Sequence, residues 1–116
     1  MANEVRGEIE IELGGKKRMF RPTFEAICEV ETRAGEGIPS LISKMKPGTL
    51  GFKQIAAIVY GGLLGAGNVD LSFEQVGEMI RDEGFTTFVV PAAKFLIGAM
   101  SPKSEQGGKK KEAIAK

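Results

Sequence analysis

The sequence predicts an α+β fold: an N-terminal antiparallel β-hairpin packed on a small bundle of about five helices. Three observations carry this. Between Glu8 and Leu13, charged and aliphatic residues alternate with a period of two. Gly14-Gly15 follows, a pair suited to the positive φ angles of a two-residue hairpin turn. Beyond Thr23 the apolar residues recur at spacings of three and four, in runs ended by Gly35, Pro47-Gly48 and Gly84.

Pairing Leu13 with Lys16 sets the hairpin register. Glu12 then faces Lys17 and Glu8 faces Arg21 on the solvent side, while Ile9 faces Phe20 on the buried side. Arg18 falls opposite Ile11, which leaves the nominally apolar face incomplete. A lone hairpin is marginal in water, so it must lie on the helices or pair with another chain.

Pro22 closes the second strand, and Thr23 is the expected N-cap of a first helix that ends at Gly35. Its expected inward face is Phe24, Ile27 and Cys28, with Val30 and Ala34 beside it. The stretch "IPSLISKM" reads as a short second helix with Pro39 near its start. A third is expected from about Phe52 to Leu64, with Phe52, Ile55, Ala56, Val59 and Leu63 as its apolar stripe. Ala57, Gly61 and Gly62 make another side small enough for a neighbouring backbone to approach. A fourth helix runs from Phe73 to about Glu83. The last spans about Phe85 to Met100, and Pro91 inside it should kink it or split it in two. Residues 1–100 thus read as one domain. The Gly/Lys-rich stretch 101–116 has no sustained apolar pattern and is expected to be a disordered tail.

Apolar residues make up 42% of the 116 and charged residues 27%, enough for a single core. The net charge of +1 is unevenly spread. Residues 1–100 hold 11 Lys/Arg against 13 Asp/Glu, and the tail holds five Lys against two Glu. A near-neutral body argues against a dedicated duplex-DNA reader. Cys28 is the single cysteine, so no intrachain disulfide forms. No apolar signal region opens the chain, and a reducing intracellular setting is expected. The apolar runs are broken well short of the ~18 residues of a membrane span. There is no His and no Trp. A His-based catalytic triad, a His-ligated zinc site and a Cys-rich metal site are therefore excluded. The carboxylate clusters, Glu8/Glu10/Glu12 and Asp82-Glu83, form no convergent acid–base pair and read as solvated faces. "GLLGAG" lacks the Gly-Lys-Ser/Thr ending of a phosphate loop and follows a helix instead of a strand. No catalytic, cofactor-binding or metal-binding residue is expected.

The hexapeptides "LGFKQI" (from Leu50) and "LSFEQV" (from Leu71) are two uses of one rule for starting a helix. In the second, Ser72 is the cap, Gln75 completes a capping box, and Leu71 with Val76 forms a hydrophobic staple. The first has Gly51 at the cap, Gln54 in the box, and Leu50 with Ile55 as staple. Gly51 brings no hydroxyl, and Thr49 is a substitute cap if the helix starts earlier.

The order of these features resembles a known family. "RGEIEIELGGKKRMFRPTFEAICEVETRAG", "GTLGFKQIAAIVYGGLLGAG" and "LSFEQVGEMIRDEGF" are similar to the opening, middle and fourth helix of small proteins of phages and gene transfer agents. These are viewed as tail assembly chaperones and sometimes labelled tail tube proteins. The resemblance covers about residues 6–100 and rests on helix starts and glycines, not on a catalytic signature. It implies a non-catalytic protein of the bacterial host cytoplasm that coats the tape measure protein and assists tail tube polymerisation. The implied partners are the tape measure protein, then the tail tube protein and further copies of the chain. No membrane and no cofactor are implied. Partner contact then falls to the last helix, through Phe85, Phe88, Phe95 and Leu96, or to the small side of the third, through Ala57 and Gly61. The core reading of these six residues is the stronger one, and exposure of the phenylalanines decides between the two. "GGKKK" also fits a slippery G-run and A-run, so the resemblance implies a longer frameshifted product.

Two alternatives stand beside the chaperone. A tail tube subunit is usually rich in β-sheet that closes into rings, whereas this chain offers one clear hairpin. A small nucleic-acid-binding regulator would need a basic body. The helix-start rule itself is testable: Ser72→Ala should lose about 0.5–2 kcal/mol in chemical denaturation without changing what the protein binds.

Overall fold

The computed structural model describes residues 8–68 and 70–102 of the chain. Strands β1 (Ile9–Leu13) and β2 (Lys16–Phe20) form a two-stranded antiparallel sheet. Ile9 stands opposite Phe20, Glu12 opposite Lys17 and Leu13 opposite Lys16. The turn needs its glycines, because Gly14 and Gly15 sit at φ of 65° and 79°. Glu8 and Arg21 pair at 2.7 Å, half-buried instead of fully in solvent. Lys17 reaches diagonally to Glu10 at 3.9 Å.

Arg18 does not leave the inner face incomplete. Its side chain is buried, its Nε donates to the Leu13 carbonyl at 3.4 Å, and its Nη1 lies 3.3 Å from an Asp70 carboxylate oxygen. A buried guanidinium is tolerable only with such partners. The turn is held from outside as well, since the Gly14 N–H donates to Glu83 Oε2 at 2.6 Å.

Five helices follow: α1 (Phe24–Ala34), α2 (Ile38–Met45), α3 (Phe52–Gly65), α4 (Phe73–Glu83) and α5 (Val89–Met100). Their ends obey local rules. Thr23 Oγ1 accepts from the Ala26 N–H at 3.1 Å, and Gly35 closes α1 at φ 78°. Ser72 and Gln75 form the full reciprocal box, at 3.1 and 2.8 Å. At α3 only the returning half exists, Gly51 N–H to Gln54 Oε1 at 2.6 Å. Thr49 does not substitute as the cap; its hydroxyl donates to the Lys44 carbonyl and closes α2. Glu31 caps α2 from α1 by accepting the Ile38 N–H at 2.8 Å. Glu36 accepts from Lys44, Ser40 and the Gln54 amide, and the bonds from Lys44 and then Ser40 hold its carboxyl below the usual range.

The last helical stretch is split in two. Phe85–Phe88 forms a 3₁₀ turn and α5 begins at Val89. Pro91 thereby falls in the first turn of α5, where an N–H would have no intrahelical partner.

Helix α3 is the axis of the fold. Ile55 to Val59 are all buried, and α1, β2, α4 and α5 all pack against it. Its closest contacts are made where it has no side chain. A Cβ on Gly61 would lie 2.4 Å from Val30 Cγ2, and one on Gly62 would lie 2.8 Å from Phe20 Cγ. One on Gly65 would lie 2.1 Å from the Arg21 carbonyl oxygen. The Arg21 N–H in turn donates to the Gly62 carbonyl at 3.0 Å. This corrects the expected face of α1. The buried row is Ala26, Val30 and Ala34, whereas Phe24 and Cys28 point outward. A phenylalanine has no room where two backbones approach so closely, so size outweighs hydrophobicity in choosing the face.

The expected tail lies outside the described residues from 103 onward. Two glycine substitutions test the packing against each other. Gly65→Ala should destabilise by roughly 1–3 kcal/mol or more, because rigid backbone blocks the new methyl group. Gly77→Ala, in α4 with nothing within 4 Å of the added atom, should stabilise by about 0.4–1 kcal/mol. Thermal denaturation of the two variants gives the comparison.

Candidate interaction surface

Of the six residues expected at a partner contact, five are in the core. Phe88, Phe95, Leu96 and Ala57 are fully buried, and Gly61 is buried under α1. Phe95 meets Phe20 edge-on, with centroids 6.3 Å apart, which ties α5 to the hairpin. The small side of α3 does receive a neighbouring backbone, but it is that of α1. In this fold these five residues are not available to a partner. Phe85 alone reaches the surface, half-buried, with its ring stacked on Phe52 at 5.6 Å.

What α5 offers to solvent is its opposite face. Val90, Ile97 and Met100 are 61%, 55% and 54% exposed, with Ala93 half-buried between them. Among the described residues, the other exposed large apolar side chains are Val89, Phe52 and Phe24. Their positions are related. Val89 opens α5, and Phe52 covers Phe85 just before it. Pro22 lies 3.7 Å from where a Cβ of Gly98 would be, which brings the Phe24 region to the far end of α5. Phe24 is 81% exposed. Exposed apolar side chains thus form a band along the outer face of α5, with Phe52 near its start and the chain leading to Phe24 near its end.

A signal for this band was present in the sequence. Positions 90, 93, 97 and 100 recur at intervals of three and four, a helical stripe of their own beside the buried 92, 95 and 96. A helix apolar on all sides needs cover on all sides. The only charged residue in α5 is Lys94, exposed beside the band.

The remaining polar groups do not converge on a reaction centre. Glu83 is held by the hairpin turn, Glu8 by Arg21, and Glu29 by Arg33 at 2.8 Å. The Arg33 guanidinium also lies over the rings of Tyr60 and Phe73, at 5.0 and 4.9 Å, which locks α1, α3 and α4 together. Among the described residues, no group of three or more metal-ligating side chains is assembled. No described helix is long and apolar enough to cross a membrane.

The described residues thus form a small hairpin-and-helix fold with four of its six exposed large apolar side chains on one helix. Residues 6–101 match the family model described as "Phage tail tube protein, GTA-gp10", and the chain belongs to that family. It is a phage or gene transfer agent tail protein. No curated protein and no solved structure matches the chain.

The two faces of α5 predict opposite responses. Phe95→Ala should cost about 3–5 kcal/mol of stability. Ile97→Ser should stay within about 0.5 kcal/mol of the wild type. Denaturant unfolding of both variants checks the assignment.

Proposed function

We propose that the protein is a non-catalytic tail assembly chaperone that binds the tape measure protein in the host cell and assists polymerisation of the tail tube around it. The carrying observation is the proportion of the fold. Among the described residues the sheet has two strands, and both are committed to the protein's own helices. A tube wall built from sheets that close into rings asks for more strand than this. The family match supports a role among tail proteins. The exposed band on α5 supports a role that depends on covering apolar surface elsewhere, since helices with apolar stripes pack against one another.

The second reading, a structural tail tube subunit, is favoured by the description of the family itself. Co-expression with the tape measure protein of the same gene cluster, followed by size-exclusion chromatography, separates the two. A chaperone co-elutes with the tape measure protein and keeps it soluble. Separate elution, with rings or tubes in electron micrographs of the purified protein alone, would instead establish the tube subunit.

A further inference from the structure

We propose that the outer edge of β1 is a docking site for an extended segment of another protein in which Lys or Arg alternates with apolar residues, added to the hairpin as a further strand. This goes beyond the chaperone reading and does not depend on it. The hairpin register decides which backbone groups face outward. A two-residue turn with both glycines at positive φ makes Leu13 and Lys16 a hydrogen-bonded pair. Bonded pairs alternate from there, so Ile11 with Arg18 and Ile9 with Phe20 also bond inward. The N–H and C=O groups of Glu10 and Glu12 therefore point away from β2, and those of Lys17 and Met19 point away from β1. Neighbouring bonds agree with this. On the β2 side, the Met19 carbonyl accepts from Asn68 Nδ2 at 3.4 Å, and the Arg21 N–H donates to the Gly62 carbonyl at 3.0 Å. On the β1 side, the Gly14 N–H reaches Glu83 at 2.6 Å. The backbone of Glu10 and Glu12 has no outward partner among the described residues. The helices thus cover the inner face of both strands and the outer edge of β2, but not the outer edge of β1. Cover on the inner face also thins towards this side: Phe20 is fully buried, whereas Ile9 opposite it is half-buried.

Charge selects the occupant. Glu8, Glu10 and Glu12 share the face of β1 away from the helices, and Glu83 stands at the turn end of its edge. Glu8 is held by Arg21 at 2.7 Å. Glu10 meets Lys17 only at 3.9 Å, through a lysine side chain that is 78% exposed. Glu12 has no ion-pair partner among the described residues. A strand laid beside β1 sets alternate residues next to Glu10 and Glu12, where opposite charge is favoured. The residues between them fall on the side of Ile9 and Ile11, where apolar groups fit. A second copy of the chain does not meet this requirement. Pairing β1 with β1, both apolar faces turned to the helices, sets glutamate against glutamate. Strand β2 has suitable charges in Lys17 and Arg21 beside it, but its outer edge is taken by Asn68 and α3. The occupant is therefore a segment of different sequence. Strand addition supplies backbone hydrogen bonds for affinity and alternate side chains for specificity. Because Glu83 already holds the Gly14 N–H, the segment is short, about three to five residues. The dissociation constant expected of so short a contact is about 10⁻⁴ to 10⁻³ M.

Titration of the isotope-labelled full chain with the end-capped synthetic peptide Lys-Val-Lys-Val-Lys tests this, read by nuclear magnetic resonance. At about 5 mM peptide the Glu10 and Glu12 amides should shift, and their hydrogen exchange should slow at least about fivefold. The same peptide N-methylated at every residue keeps its charge but has no backbone donors, and should bind at least about tenfold more weakly. Glu10→Lys combined with Glu12→Lys should reverse the choice. With its fold checked by circular dichroism, this variant should lose the lysine peptide and take Glu-Val-Glu-Val-Glu instead. Unmoved Glu10 and Glu12 amides would overturn the proposal. So would equal binding of the N-methylated peptide, which marks charge attraction alone, or a peptide preference that the double variant leaves unchanged. Slow exchange at both amides in the free chain, lost on removal of residues 103–116, would also overturn it and give the edge to the chain's own C-terminus.

Discussion

The fold depends on one face of α3, at Gly61, Gly62 and Gly65, that carries no side chains. Gly61, Gly62 and Gly65 receive, in order, Val30 of α1, Phe20 of β2, and the Arg21 carbonyl between them. Three consecutive parts of the chain thus meet a single helix at backbone distance. Glycine in a helix interior costs about 0.5–1 kcal/mol relative to alanine. Here the cost is offset by contacts that any Cβ would prevent. The hydrogen bond from the Arg21 N–H to the Gly62 carbonyl exists only because the chain comes that close.

Much else follows from that approach. With the hairpin drawn onto α3, its inner face must be finished by whatever the register supplies, and the register supplies Arg18. The guanidinium is retained there by bonding a carbonyl of its own hairpin and pairing with Asp70 from the loop after α3. With Phe20 over Gly62, its ring also meets that of Phe95 at nearly a right angle, which seats α5. One side of α5 completes the core and the other is left in water. An interior that needs a bulky helix on one side and a bare helix on the other has thereby produced an exposed apolar band.

The local features were legible in the sequence because local chemistry decides them. The hairpin register follows from alternation and a Gly-Gly turn. Thr23, Ser72 and Gly35 end their helices by bonds within four residues. Faces were harder to read. Periodicity marked Phe24 and Cys28 as an inward pair, but periodicity weighs hydrophobicity and not width, and only a row of Ala26, Val30 and Ala34 fits a glycine face. The same blindness affected α5. Phe88, Phe95 and Leu96 stand out as large apolar residues, so they drew the expectation of a partner contact. Their size is what places them in the core. Val90, Ile97 and Met100 recur at helical spacing too, but that they are the side left in water emerges only once the other side of the helix is occupied. The role of Arg18 depended on Asp70, 52 residues away, which no local pattern reveals.

The central claim is that the bare face of α3 is used up inside the protein, by α1 and the hairpin, so that partners must meet the chain elsewhere. A nuclear Overhauser experiment on the isolated protein tests it most directly. The account predicts a strong contact between the Val30 γ-methyl protons and the Gly61 α-protons, with the Gly61 signals shielded from a soluble relaxation agent. Absence of that contact, with Gly61 open to the agent, would contradict the account and return the glycine face of α3 to the surface.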